Sequence, residues 1–362
     1  MKSSIASRSP AVWQRARRTT NLRPGNDGEG ILEQSGVGIA ITGSGSSTPT
    51  VALNNVELSR VVETSDEWIA SRTGIRERRL AEPGCSLTKL GVAAAKDAIE
   101  MAGIAPTDLD LIILATSTAD DLFGSASQIQ AQLGASRAVA FDLTAACSGF
   151  VFGMVTAAQF IRTGVYRNVL LIGADVLSRW LDWSDRRTCV LFGDGAGAVV
   201  MQASQHDRLL GFELRSDGTQ NNCLNLSYHS QPKELLAGVT INQGTFHPIT
   251  MNGQEVYRFA VKKVPEVIEK ALFRANLTVA EIDWLLLHQA NQRILDSVAD
   301  RLKIPPEKVI SNLAKYGNTS AASIPLALDE AVRQGKIKPG DTIVTSGFGA
   351  GLTWGAAIFQ WG

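Results

Sequence analysis

Residues Ala138 to Gly164 read AVAFDLTAACSGFVFGMVTAAQFIRTG. A short β-like run, Val139 to Leu143, breaks at small residues and reopens as a long apolar segment. From Phe150 to Ile161 apolar side chains fall on every side, so a helix here has no polar face and must be buried all round, in the middle of a large protein. Cys147 sits at the break. At the first turn of such a helix a thiol lies among unpaired backbone N–H groups and at the positive end of the helix dipole, which lowers its pKa and favours the nucleophilic thiolate. A buried apolar cysteine without chemistry has the same surroundings in sequence, and the stretch alone supports either reading.

The chain has 362 residues, 44% of them apolar, enough for two domains or one large duplicated one with a substantial core. Its 35 basic and 35 acidic residues balance, and no apolar run reaches membrane length. General nucleic-acid binding and membrane spanning are therefore not indicated, and an electrostatic partner must be met by a local patch. Cys85, Cys147, Cys189 and Cys223 are far apart, without a C-x-x-C pair or a Cys/His cluster, which argues against a metal site or a disulfide framework. Residues 1–35 stand apart: Arg8, Arg15, Arg17, Arg18 and Arg23 accompany several serines, with no acid before Asp27. That composition fits a disordered extension, an organelle-targeting segment or an over-long predicted start.

Two segments match closely enough to indicate an internal duplication. KDAIEMAGIAPTDLDLIIL (Lys96 to Leu114) parallels EKALFRANLTVAEIDWLLL (Glu269 to Leu287), each a helix, a loop and a buried strand. NVLLIGAD followed by FGDGAGAVVMQ parallels DTIVTSG followed by FGAGLTWGAAIFQ. The halves divide at about residue 210, as 36–210 and 211–362, and predict layered α/β units around buried central helices. In the first half, Gly36 to Gly43 reads as a strand, Val56 to Glu63 as a short helix, Ser65 as the cap of the next helix, and Leu87 to Ala102 as a helix. The Gly-rich turns Gly43-Ser-Gly45, FGDGAGA and GFGAGLTWG lack the helix-opening context of a nucleotide loop, so they read as tight turns and close packing, with no cofactor.

Two further polar residues fall at element junctions. His288 follows the buried strand Ile282 to Leu287, where α/β folds collect ligands, and Asn318 stands at a loop-to-helix junction in Tyr316-Gly-Asn-Thr-Ser. Each alone reads as a structural histidine or a turn asparagine. With Cys147 they make a Cys, His, Asn set, all at element junctions of a duplicated fold.

TSDEWIASRTGI, DLTAACSGF, DRRTCVLFGDGAGA, MNGQEVYRFA, LLHQANQRI, YGNTSAAS and SGFGAGLTWG together resemble the β-ketoacyl-acyl-carrier-protein synthase III enzymes of the thiolase superfamily, in their cyanobacterial and plastid branch. The resemblance covers residues 36–362. It implies an α/β fold of five αβαβα layers with a pseudo-twofold duplication, a homodimer, and a decarboxylating condensation of acetyl-CoA with malonyl-acyl-carrier protein in the cytoplasm or a plastid stroma. By the same resemblance Cys147 carries the acyl group, activated by its helix and a nearby imidazole, and His288 and Asn318 serve decarboxylation. The backbone N–H groups of Cys147 and Ala350 form the oxyanion hole. Trp68 and Arg186 hold the adenine of CoA, Arg72 meets a CoA phosphate, and Asn291 lies beside the pantetheine arm. Leu191, Phe192 and Phe348 shape the acyl pocket, into which Leu122 or Phe123 reaches from a partner subunit. Arg293, Arg258 and Gln289 meet the carrier protein.

A starter-unit condensing enzyme of a polyketide pathway shares these motifs. A non-catalytic acyl-binding partner subunit is the reading from a different class, and the presence of Cys147 argues against it. Between Val256 and Arg274 the bases Arg258, Lys262, Lys263, Lys270 and Arg274 outnumber Glu266 and Glu269. Lys270 and Arg274 read as a solvated helix face, whereas Arg258 and Arg293 are the docking candidates.

Overall fold

A computed structural model describes residues 37–362; the extension expected over residues 1–35 lies outside the described residues. Among the described residues, nine strands form the two main sheets. In the first half these are β1 (Gly38–Ser47), β2 (Leu111–Ala115), β3 (Val139–Leu143), β4 (Asn168–Val176) and β5 (Asp194–Ser204). In the second they are β6 (Leu209–Ser216), β7 (Trp284–Leu287), β8 (Thr342–Gly349) and β9 (Thr353–Gln360). The first sheet has the order β1-β5-β4-β2-β3 and the second β6-β9-β8-β7. In each, the first three strands run antiparallel to their neighbours and the next is parallel to the strand beside it. The second sheet thus repeats the first in chain order and direction, and β3 is an extra strand on the free edge. Lys96–Leu114 and Glu269–Leu287 occupy equivalent places in the two halves.

Seven helices complete the layers: α1 (Asp66–Thr73), α2 (Leu87–Ala102), α3 (Ala126–Leu133), α4 (Gly149–Arg162), α5 (Gly253–Ala275), α6 (Gln292–Leu302) and α7 (Ser323–Arg333). α2 and α3 cover the outer face of the first sheet, α5 backed by α6 covers that of the second, and α4 and α7 lie between the sheets. The result is αβαβα. Phe150, Met154 and Ile161 of α4 pack against Ile39 and Leu171 from one sheet and Leu286 and Ile343 from the other, which is why this helix needs no polar face. Gly43 and Gly45 serve packing: a Cβ on either would lie 2.2 Å from the carbonyl oxygen of Ala98 or Ala94 in α2, so only glycine lets β1 approach that Ala-rich face.

Local signals mostly act where expected. Ser65 caps α1 by accepting from the Trp68 N–H at 3.1 Å. The helix expected over Val56 to Glu63 is a single turn, Asn55–Leu58, closed by Asn54 at one end and turns at the other. The strand expected over Gly36 to Gly43 instead starts at Gly38 and runs to Ser47, prolonged by its antiparallel ladder with β5. An exposed two-stranded ribbon, Tyr228–Leu236 with Val239–Phe246, has no counterpart in the sequence reading; its stem passes through Leu224 and Met251 beside the site.

Candidate active site

Cys147 lies in a tight turn, Ala146–Ser148, between β3 and α4, one turn before the helix and not inside it. Ala146 is forced to a φ of 47° to make the turn. The backbone of Gly349 in β8 closes over it, and a Cβ on that glycine would stand 2.6 Å from the Cys147 nitrogen. His288 emerges at the end of β7, its N–H continuing the ladder to the Ser346 carbonyl at 2.8 Å. Asn318 is held between the halves, its N–H on the Leu191 carbonyl at 2.9 Å and its carbonyl accepting from Gly193 at 3.0 Å. All three line one cavity of about 1130 Å³.

The orientation of Asn318 follows from its bonding. Oδ1 accepts from the Ser320 N–H at 2.9 Å. A backbone N–H can only donate, so the bonded atom is the oxygen and the NH₂ group is left for the cavity. Ser320 itself takes a φ of 52°, and its hydroxyl donates to Cys147 Sγ at 3.3 Å. Buried Asp175 anchors this turn: it accepts from Thr116, Ser117 and Thr118 on one oxygen and from the Ala321 N–H at 3.1 Å on the other. Ser320 and Asp175 stand in the quoted motifs, but nothing in their spacing marks them as neighbours of Cys147.

The electrostatics correct one expectation. Burial pushes the Cys147 thiol up to about 12, tempered by the Ser320 hydrogen bond and reinforced by the Asp175 charge. Burial likewise pushes the His288 imidazole down to about 3. Desolvation thus opposes the helix terminus and favours a thiol with a neutral imidazole over a thiolate with an imidazolium. The Phe348 ring stands edge-on to His288 at 5.3 Å and helps keep it dry.

The remaining expected residues sort by place. Leu191, Phe192 and Phe348 line the inner end of the cavity. Trp68, Arg72 and Arg186 lie at its mouth, with the Arg72 and Arg186 guanidiniums 4.7 and 5.2 Å from the Trp68 ring centroid. Asn291 caps α6 and donates to the Arg72 carbonyl at 3.1 Å, tying α1 to α6 across the mouth. Arg258 and Arg293 also line the mouth, Arg293 donating to the Ser71 carbonyl at 2.9 Å. Ala350 follows Gly349 in the turn to β9 but does not line the cavity. Leu122 and Phe123 do not reach this chain's cavity; they are 87% and 100% exposed on the loop before α3, whose first N–H groups are held by Asp142 of β3.

Gln289 is a correction. It is 0% exposed, its amide donates to the Leu287 and Ile310 carbonyls, and its oxygen accepts from the Asn312 N–H. No carrier protein can touch it there. Lys263 is paired with Glu266, and Arg274 with the buried carboxylate of Glu213. Among the described residues no cluster of three or more His, Cys, Asp or Glu side chains could hold a metal ion.

The family described as 3-oxoacyl-[acyl-carrier-protein (ACP)] synthase III matches residues 141–218, and its C-terminal counterpart matches residues 272–361. A β-ketoacyl-[acyl-carrier-protein] synthase III of Trichormus variabilis is 74% identical over 326 residues, 90% of this chain and 99% of that protein. The crystal structure of 3-oxoacyl-[acyl-carrier-protein] synthase III from Aquifex aeolicus superposes with a TM-score of 0.82 at 44% identity, covering 90% of this chain and 100% of that one. The priming β-ketosynthase of the R1128 polyketide pathway gives the same TM-score, 0.82, at 34% identity, over 92% of this chain and 99% of its own. With a cysteine turn, a buried imidazole and an asparagine gathered at one cavity in a duplicated five-layered fold, the chain belongs to the 3-oxoacyl-[acyl-carrier-protein] synthase III family of condensing acyltransferases.

Proposed function

We propose that this chain initiates fatty acid assembly by condensing acetyl-CoA with malonyl-acyl-carrier protein, with Cys147, His288 and Asn318 as the reacting set. In the first half-reaction the Cys147 sulfur bonds the acetyl carbon, the bond to the CoA sulfur breaks, and the thiol proton leaves with CoA. In the second, the malonyl carboxylate departs as CO₂, and the electron pair passes into an enolate whose oxygen His288 and Asn318 hold. The enolate carbon attacks the acetyl-enzyme, the tetrahedral oxyanion rests on the backbone N–H of Cys147, and Cys147 leaves as a thiolate that takes up a proton. The observation that carries this reading is the convergence of the three residues, with the Asn318 NH₂ free, on one cavity.

The mouth suits a nucleotide handle. The 5.2 Å between Arg186 and Trp68 is narrower than the roughly 7 Å that two stacking contacts of a purine require, so Arg186 lifts to admit adenine between them. Arg72 supplies positive charge for a phosphate, and Asn291 flanks the arm that follows. Arg258 and Arg293 are exposed beside the mouth, where an acidic carrier protein would be guided. We assign catalysis to a homodimer in the cytoplasm, or in a plastid stroma if residues 1–35 are a transit peptide. The free edge of β3 presents unpaired backbone groups with half-exposed Val139 beside protruding Leu122 and Phe123, the surface a second copy would cover.

Equal TM-scores do not separate this reading from polyketide priming, whereas the 74% against 34% identity favours fatty acid initiation. Incubation with a panel of acyl-CoAs and malonyl-carrier protein, followed by weighing of the carrier-bound products, tests it. Acetoacetyl-carrier protein should dominate; preference for another starter acyl group would move the chain to the priming role.

A further inference from the structure

The chemistry of a neutral imidazole depends on which ring nitrogen carries its proton. His288 Nδ1 lies 2.7 Å from the hydroxyl of Ser323, the first residue of α7. The same hydroxyl oxygen accepts from the Gln289 N–H at 3.3 Å. His288, Gln289 and Ser323 are all buried. A hydroxyl has one proton to give and two lone pairs to fill. Among the described residues, His288 Nδ1 is the only acceptor within hydrogen-bonding distance of the Ser323 proton. The reverse arrangement, with Nδ1–H donating to the hydroxyl, leaves that proton buried without a partner, which native interiors avoid.

We propose that Ser323 is a positioning residue: by donating to Nδ1 it holds His288 as the Nε2–H tautomer, so that the ring offers the cavity a donor and not a lone pair. Ser323 acts only through His288. The ring stays neutral through the working pH range because burial holds it down to about 3. Neighbouring Ser320 does for Asn318 what Ser323 does for His288: its backbone N–H occupies Oδ1 and leaves the NH₂ as a second donor. One tight turn and the start of one helix thus leave two donors to one cavity, the kind of group an enolate oxygen requires. In the decarboxylation step the bond to the departing carboxylate breaks, its electron pair becomes the enolate, and no proton passes to or from the ring. The same tautomer cannot accept the Cys147 proton, so acetylation proceeds with that proton carried off on the CoA sulfur.

The inference rests on the assignment of His288 and Asn318 to the malonyl half-reaction, and the test separates the two. The chain has four histidines, so ring ¹⁵N resonances of the labelled enzyme are few, and the spectrum of His288→Gln identifies the one that matters. The native enzyme should show an unprotonated Nδ1 and a protonated Nε2 at His288; a protonated Nδ1 overturns the proposal. Ser323→Ala should populate the other tautomer and slow release of CO₂ from malonyl-carrier protein by about tenfold or more, within the range that loss of an imidazole's orienting partner produces. Acetylation of Cys147 by acetyl-CoA should stay within about twofold, a split that general loosening of the site would not give. Unchanged tautomer and CO₂ release in folded Ser323→Ala overturn the proposal, while normal CO₂ release by His288→Gln would instead overturn the assignment of the site.

Discussion

Replacing Asn318 tests the division of labour within the site, and the structure sets two separate magnitudes for it. Asn318→Ala removes the NH₂ group facing the cavity and also the oxygen that accepts from the buried Ser320 N–H at 2.9 Å. Loss of one oxyanion donor costs a factor of about 10² to 10³ in rate. Loss of the acceptor leaves a buried N–H unpaired, a stability cost of about 1–3 kcal/mol. Asn318→Asp separates the effects: it keeps an oxygen for Ser320 while replacing the donor with an acceptor. The alanine variant should therefore lose both CO₂ release and several degrees of thermal midpoint, whereas the aspartate variant should lose CO₂ release at least as completely and keep more of its midpoint. Acetylation is followed by intact mass after mixing with acetyl-CoA, and CO₂ release in a single turnover of preformed acetyl-enzyme with malonyl-carrier protein. The alanine variant should still form acetyl-enzyme. Normal CO₂ release by that variant refutes the reasoning.

Gly349→Ala would place a Cβ 2.6 Å from the Cys147 nitrogen and 3.1 Å from the Ala146 and Cys147 Cβ atoms, displacing the nucleophile turn; both half-reactions should fall by roughly 10² or more, and native acetylation rates would contradict this. Because burial holds the Cys147 thiol up at about 12, its alkylation by iodoacetamide, followed on the Cys147 peptide, should rise about tenfold per pH unit between about pH 6 and 9, and a plateau near neutrality would mean a standing thiolate. Burial holds His288 down at about 3, below its unfolded value near 6.5, so in that window the unfolded chain binds the extra proton. Its contribution to stability is present above about pH 6.5 and is lost as pH falls toward 3, and His288→Gln should flatten the pH dependence of the urea midpoint there; identical slopes would refute it. Arg258→Glu should slow reaction with malonyl-carrier protein, more at low than at high salt, and spare acetylation; it is a cleaner test than Arg293, whose guanidinium also holds the Ser71 carbonyl. Equal loss in both half-reactions would mean that Arg258 shapes the shared cavity.

The sequence alone determined the layered α/β fold and its duplication, because buried strands and an all-apolar helix leave no other way to cover their surfaces. It also marked Cys147, His288 and Asn318, which fall where apolar periodicity ends and a polar side chain demands a reason. What it could not determine lies in contacts between residues far apart along the chain. Ser320 bonds Cys147 across 173 positions, Asp175 anchors the Ser320 turn across 146, and Ser323 meets His288 across 35. Gln289 shows the limit at close range: it follows His288 directly, yet its amide turns inward to the Leu287 and Ile310 carbonyls. Which way a side chain faces where a strand ends is decided by the carbonyls left unpaired around it. The thiol pKa divides in the same way. The helix terminus that favours the thiolate is local and legible, while the desolvation that holds the thiol protonated comes from the sheets and turns that close over Cys147, and only the tertiary structure supplies them.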